Sequence, residues 1–491
     1  MGIFANPLTD LLEYEDFSRD FLKGTDPVGM TGCIDSEKVH FMSTFLGEKK
    51  VQLVVTYNEQ RAREIEEDYK LFCSQVYVIP PRDLIFFSAD LQGNAIIAER
   101  MKAFAALYQN EAKVIITTMD ALMSAAVPFE QLMSHVIKLK EGDELDLEKL
   151  KHDLTVMGYE RVGRVEEPGQ FTVHGGIADV YPLTMEVPVR IELWGDEIDT
   201  IRCFEPQSQR SMDQIECVSV FPAAEVIADD TARRRAVGMI QNELESQLSV
   251  FKKVKEPDKA KRLREETNRI LEALDEEVVL EAPDSYISYF YPRTVRLSEY
   301  FDEKNTLVFL DEPMRLKERG DGVQAEFEES MKNRLEQGFL LPGQTALLTP
   351  AKNVLAAFER GQVAALSSLD SRLADFTVVN SYAVNVQNMN TYREGFELLI
   401  KDLTHWKKEK YRIVLLCPSR TRANRIVNQL IEYDLLAYYS EDEDKKINPG
   451  EIMVTYGNLH RGFLYPMLKF AVITESDIFG AKEKKKEKKS P

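Results

Sequence analysis

The apolar run VQLVVTY at residues 51–57 restricts the fold most, because the signals of an amphipathic helix follow it at once. Asn58 is placed to cap that helix, and apolar residues then recur three or four positions apart, at Ala62, Ile65, Tyr69 and Phe72. The same order of strand and helix signals returns in VYVIP, AIIAERMKAFAALYQ and KVIITTMDAL, up to about residue 125. Repeated β-α units predict a parallel sheet with helices on both of its faces.

Beyond residue 125 the composition of the chain changes several times. Short strand signals separated by Gly, Pro and Asp turns predict a strand-rich domain, and a helical, heavily charged stretch follows before the buried strand NTLVFLDEP. The predicted fold class is therefore multidomain α/β, with an inserted strand-rich α+β domain. The predicted order is a parallel-sheet domain, first part (1–125), the inserted domain (126–220), the parallel-sheet domain, second part (221–345), a connector (346–377), a small α/β domain (378–480) and a charged linker (481–491).

The charge balance limits the functions open to the chain. Its 491 residues carry a formal net charge of −20, whereas domains that bind nucleic acid on their own are usually basic, so such binding is disfavoured. No apolar run approaches the ~20 residues of a membrane span, and the N-terminus lacks a signal-peptide pattern, so we expect a cytoplasmic protein. The five cysteines are scattered without a C-x-x-C pair and the histidines lack ligand spacing, which predicts neither disulfides nor a metal site.

Residues 32–39, GCIDSEKV, have the length of a phosphate loop, G-x-x-x-x-G-K-[ST], and keep its first glycine and its lysine at Gly32 and Lys38. Glu37 replaces the second glycine, which lets backbone N–H groups approach phosphate, and Val39 replaces the hydroxyl that binds Mg²⁺. Two like charges about 4 Å apart repel by about 4 kcal/mol at an effective dielectric constant of about 20. We therefore expect this loop to reject a triphosphate.

The acidic partner motif of a phosphate loop is represented by Asp311 and Glu312, at the end of the strand TLVFLDEP. Without a working loop these acids have no metal nucleotide to bind, so we predict neither ATP hydrolysis nor a cofactor for this chain. The alternative is a self-standing ATP-dependent DNA helicase or translocase, which requires nucleotide binding at residues 32–39.

The strand VPVRIELW (187–194) has two different faces. With a period of two, its aliphatic residues face one way, while Arg190, Glu192 and Trp194 face the other. A tryptophan beside an arginine on a polar face is typical of an interaction surface, but it is equally typical of an aromatic side chain covered by a neighbouring domain. The residues alone leave both interpretations open.

Two segments carry a resemblance to a known family. Residues 158–211, beginning GYERVGRVEEPGQFTVHGGIADVYP, closely resemble the segment shared by the excision-repair protein UvrB and the transcription-repair coupling factors. Residues 456–480, YGNLHRGFLYPMLKFAVITESDIFG, resemble a segment of the coupling factors that UvrB does not have. The chain as a whole resembles the N-terminal portion of a coupling factor. The resemblance implies a degenerate helicase-like (RecA-type) domain without a working nucleotide site, an inserted UvrA-binding domain and a small α/β domain.

The resemblance also implies partners. Positions that match Arg190 and Trp194 lie on the family's UvrA-contacting surface, and a third such position, usually Arg, is His174 here. Histidine cannot form a bidentate guanidinium contact, so we expect UvrA binding to be weaker, pH-sensitive or compensated in UvrA.

The resemblance places contacts with RNA polymerase and double-stranded DNA, and a motor that uses ATP and Mg²⁺, in domains expected beyond residue 491. An adaptor that brings UvrA to stalled polymerase is thus the predicted function. In the family a C-terminal regulatory domain masks the same surface, so an intramolecular regulator of the motor is a further alternative.

Overall fold

A computed structural model describes residues 7–82, 92–275, 283–370, 376–392, 395–442 and 445–480. The first part of the chain alternates strands and helices as its apolar pattern predicts, and the side chain of Asn58 caps α3 by accepting the N–H of Arg61 at 2.8 Å. Its elements are α1 (Leu12–Lys23), β1 (Val28–Thr31), α2 (Asp35–Ser43), β2 (Val51–Thr56), α3 (Glu59–Tyr69), β3 (Val76–Ile79), α4 (Gln92–Tyr108), β4 (Val114–Thr118), α5 (Met119–Met123), β5 (Ala125–Ala126) and α6 (Phe129–Met133).

The inserted domain follows, and its first and last strands pair with each other, so the chain enters and leaves it at one place. Its elements are β6 (Ile137–Lys140), α7 (Leu147–Val156), β7 (Glu160–Arg161), β8 (Gln170–His174), β9 (Ile177–Val180), β10 (Val189–Trp194), β11 (Glu197–Phe204), β12 (Ser211–Gln214) and β13 (Cys217–Val220). Strands β12-β11-β10-β9-β8-β7 form one sheet in that order. Leu150 and Leu154 of α7 pack with Val189 and Ile191 in a single core, so α7 covers one face of this sheet.

The chain then returns to the first domain and completes its sheet. The elements are α8 (Asp230–Lys253), α9 (Pro257–Asp275), α10 (Ile287–Phe290), β14 (Val295–Arg296), β15 (Thr306–Asp311), α11 (Pro313–Glu336), α12 (Ala351–Ala356), β16 (Val363–Ser367) and β17 (Asn380–Ala383). The finished sheet has seven strands in the order β17-β1-β16-β15-β2-β4-β3, and all its pairings are parallel. We call it, with its flanking helices, the seven-stranded domain.

The segment 346–377, predicted as a connector with some strand content, contains the interior strand β16 and so belongs to the seven-stranded sheet. Strand β17 carries the same sheet past residue 378. Every residue of β16 is buried. A strand covered on both faces shows no polar alternation, which explains why its sequence pattern was weak.

The C-terminal domain is a smaller α/β unit. Its elements are β18 (Gln387–Asn388), α13 (Phe396–Lys408), β19 (Arg412–Cys417), α14 (Arg420–Glu432), β20 (Ala437–Tyr439), β21 (Ile452–Tyr456), β22 (Phe463–Tyr465), β23 (Phe470–Thr474) and α15 (Glu475–Phe479). Its strands lie in the order β18-β22-β23-β19-β21-β20. Helices α13 and α14 pack on one face of this sheet, and the other face shares a core with α2 and α3 of the seven-stranded domain.

The predicted charged linker at 481–491 lies outside the described residues. Within the described part of the chain, no helix is both long and apolar enough to cross a membrane.

Candidate functional site

Residues 32–39, called the relic loop below, connect β1 to α2 and keep the tight turn of a phosphate loop. Gly32 has φ +86°, and a Cβ atom there would lie 1.9 Å from the carbonyl oxygen of Val384. Glycine is therefore required at this position by both backbone conformation and space. The turn packs against the backbone of Val384, the residue that follows β17 in the same domain.

Lys38 is neutralised by the two acids that the sequence analysis paired with the loop. Its Nζ lies 2.7 Å from Oδ1 of Asp311 and 2.6 Å from Oε1 of Glu312, and Lys38 and Asp311 are almost fully buried. Burial alone would raise the pKa of Asp311, but the charges of Lys38 and Arg61 outweigh it and lower that pKa to about 2. The lysine that would bind phosphate and the acids that would bind the metal ion are thus paired with each other.

Glu37 is folded into the protein. Its Oε2 accepts the N–H of Ile34 at 3.1 Å, and its Oε1 accepts the hydroxyl of Tyr465 at 2.6 Å. Burial raises the pKa of Glu37 to about 7. Val39 is fully buried and offers no metal ligand. The residues of the relic loop therefore do not fit a magnesium nucleotide.

Sequence reasoning missed two residues of this site. Arg61, from α3, lies 3.4 Å from Asp311, and Tyr465 belongs to the C-terminal domain, 428 positions beyond Glu37. Arg61 lies in a helix predicted from its apolar spacing and Tyr465 in a segment that resembles the coupling factors, but neither pattern shows that these side chains reach Asp311 or Glu37. Among the described residues, no group of three or more His, Cys, Asp or Glu is arranged to hold a metal ion.

The second candidate site is the face of the inserted domain's sheet that α7 leaves uncovered. Arg190 projects from this face and makes two parallel hydrogen bonds to Asp179, at 2.8 and 2.7 Å. Its guanidinium also lies 4.7 Å from the ring centre of Phe204. The hydrogen bonds that Arg190 donates to the carboxylate of Asp179 raise the pKa of Arg190. The guanidinium is thus charged, oriented and still partly exposed, with 21% of its side chain accessible.

Trp194 ends β10 and is 83% exposed, so in this structure it is not covered by a neighbouring domain. His174 ends β8, is exposed, and its Nε2 lies 3.0 Å from the hydroxyl of Thr172. Thr172 is paired with Asp179, which is paired with Arg190, so the side chains of these three residues lie on the same face of the pleated sheet. His174 is two residues beyond Thr172 on its strand and therefore shares that face. Ile177, 40% exposed, lies beside His174 in the register. The three residues predicted from sequence therefore lie on one open face, with Asp179 and Ile177 added by the structure.

Two family models match parts of this chain, one in the inserted domain and one in the C-terminal domain. The family described as UvrB interaction domain matches residues 137–225, which contain the open face. The family described as MFD, D3 domain matches residues 405–478 of the C-terminal domain.

Whole-length similarity is found with curated proteins named transcription-repair-coupling factor. The one from Bacillus subtilis is 28% identical over 490 residues, covering 99% of this chain and 41% of the relative. The one from Staphylococcus epidermidis is 27% identical over 496 residues, covering 100% of this chain and 41% of the relative. The chain therefore spans about two-fifths of the length of the relatives it matches.

Proposed function

Because the chain corresponds to the N-terminal region of the transcription-repair coupling factors, we propose that it is the adaptor that recruits UvrA. UvrA binds the open face of the inserted domain around Arg190 and Trp194, with His174 at its edge. In the whole protein this brings excision repair to RNA polymerase stalled at a lesion on double-stranded DNA.

The observation that carries this proposal is the orientation of Arg190 and the exposure of Trp194 within the residues that match the UvrB interaction domain. Arginine and tryptophan are the residue types most enriched among those that dominate binding energy. Arg190 is already oriented by Asp179, so little side-chain entropy is lost on binding. Trp194 offers a large apolar surface that is exposed in the chain by itself.

We assign no enzymatic activity to this chain. Lys38 is occupied by Asp311 and Glu312, Glu37 is buried in the loop, and Val39 cannot bind Mg²⁺. These contacts weigh against the alternative of a self-standing ATP-dependent helicase. ATP hydrolysis and translocation along DNA then reside in the part of the relatives that this chain does not cover. A titration with fluorescent ATP and Mg²⁺ tests this assignment, and saturable micromolar binding would contradict it.

The adaptor role is tested by calorimetric titration of UvrA into the chain. Arg190→Ala and Trp194→Ala should each weaken binding by about 30-fold or more, the effect of losing a residue that dominates an interface. Arg269→Ala, on α9, and Phe479→Ala, an exposed aromatic of the C-terminal domain, are matched controls that should bind as the unsubstituted chain does. Unchanged affinity in both Arg190→Ala and Trp194→Ala would refute the site.

A further inference from the structure

A short segment of the C-terminal domain, residues 459–465, lies across the relic loop and the first turn of α2. We call it the docking segment. The backbone N–H of Arg461 donates to the hydroxyl oxygen of Ser36 at 2.9 Å, and the hydroxyl of Tyr465 donates to Glu37 at 2.6 Å. The backbone N–H of His460 donates to Oδ1 of Asp68 in α3 at 2.6 Å. Three donors of one segment thus meet three acceptors of the other domain.

The acceptors are buried, which makes these contacts more than incidental. Ser36, Glu37 and Asp68 are at most 1% exposed. Removing the donor of a buried acceptor lowers the stability of the protein far more than removing the donor of an exposed one, because water cannot replace the lost partner. Apolar contacts surround the polar ones, since Phe463 stacks on the ring of His40 at 5.2 Å. The C-terminal domain is therefore held here by specific hydrogen bonds as well as by packing.

The polarity of this contact is the reverse of that of a working phosphate loop. Such a loop presents N–H donors to the oxygen atoms of phosphate. In this chain the carboxylate of Glu37 consumes the N–H of Ile34, and the outward partners offered by α2 are the oxygens of Ser36 and Glu37. A surface of acceptors repels phosphate and attracts a segment rich in donors.

We propose that the relic loop, together with α2 and Asp68, has become a receptor for the docking segment, so that the C-terminal domain is its internal ligand. The ligand class has changed from a phosphate to a peptide segment that donates hydrogen bonds. The substitution of Glu37 for glycine then has two effects at once: it closes the loop to nucleotide and supplies the acceptor for Tyr465. This role is independent of UvrA binding, which is proposed for the inserted domain, a unit with its own core.

Hydrogen exchange of the full chain, followed by mass spectrometry, tests the proposal. Tyr465→Phe removes one donor and keeps the ring, and Asp68→Ala removes one acceptor. Each should raise exchange in residues 459–474 and in α2 on the order of tenfold or more. Peptides of the inserted domain, residues 170–204, should exchange as before, because that domain has its own core.

Two conservative variants serve as controls. Tyr411→Phe alters a tyrosine of the C-terminal domain that packs on Trp406, and Asp68→Asn keeps an oxygen acceptor for the N–H of His460. Both should exchange as the unsubstituted chain does. The proposal is overturned if Tyr465→Phe and Asp68→Ala match these controls. It is also overturned if exchange rises equally in the inserted domain, because these contacts would then support the fold as a whole rather than the docking of one domain.

Discussion

Glu37→Gln should make the protein more stable at alkaline pH and remove part of its pH dependence. Burial raises the pKa of Glu37 from 4.5 to about 7, so the native state holds this proton more tightly than the unfolded state does. The contribution of Glu37 to stability is therefore greatest below pH 4.5 and is lost as pH rises through 7. At 1.36 kcal/mol for each unit of pKa, the loss amounts to about 3 kcal/mol.

Glutamine carries no charge, so it avoids that loss. Its amide oxygen can still accept the hydroxyl of Tyr465, but its NH₂ group cannot accept the N–H of Ile34, which costs about 1 kcal/mol. Glu37→Gln should thus be about 2 kcal/mol more stable than the unsubstituted protein at pH 8, and the difference should vanish near pH 5.

Urea unfolding between pH 5 and 8 measures this difference. Tryptophan fluorescence reports the C-terminal domain, because Trp406 is buried whereas Trp194 is already exposed. Glu336→Gln, at the exposed end of α11, is the matched control and should leave the pH profile unchanged. Parallel profiles for Glu37→Gln and the unsubstituted protein would refute the reasoning.

Three further substitutions test other parts of the account. Lys38→Met leaves Asp311 and Glu312 without their lysine and should lower the free energy of unfolding by about 3–5 kcal/mol in urea titrations; a loss below about 1 kcal/mol would contradict the pairing. Gly32→Ala places a Cβ against a backbone oxygen at positive φ and should cost about 2 kcal/mol or more, and an unchanged melting temperature would count against it. His174→Arg supplies a guanidinium and should tighten UvrA binding about 3- to 10-fold at pH 7.5 in calorimetry; unchanged affinity would exclude His174 from the contact surface.

Local patterns in the sequence were sufficient for much of the fold and for the departures of the relic loop from a phosphate loop, whereas the choice of Arg190, Trp194 and His174 rested on the family resemblance. In the strand 189–194, Val189 and Ile191 are buried and the residue between them is accessible, as a period of two predicts, although Leu193 is only half-buried. The β-α units of the first part lie where their apolar spacing placed them. The departures of Glu37 and Val39 from a phosphate loop could be recognised because that motif assigns a chemical task to each position. Each of these features depends on residues close together in the chain.

What the sequence could not show is which distant residues meet. The run 363–367 is short and apolar except for its final serine, so its place inside the seven-stranded sheet depends on pairing with strands more than 50 residues away. Asp179 reaches Arg190 only through the register of β9 and β10. Tyr465 reaches Glu37 only because two separate domains dock. Long-range register and domain docking leave no periodic trace, and they decide how both candidate sites are assembled.

The most direct test of the adaptor role uses Trp194 itself as the probe. The chain has two tryptophans, so Trp406→Phe leaves Trp194 as the sole source of tryptophan emission from the chain. Difference spectra taken against UvrA alone should show that emission shifting to shorter wavelength as UvrA covers the open face. Arg190→Ala should move the midpoint of the titration about 30-fold higher or more. UvrA binding without any change in Trp194 emission, or a midpoint unaffected by Arg190→Ala, would contradict the account.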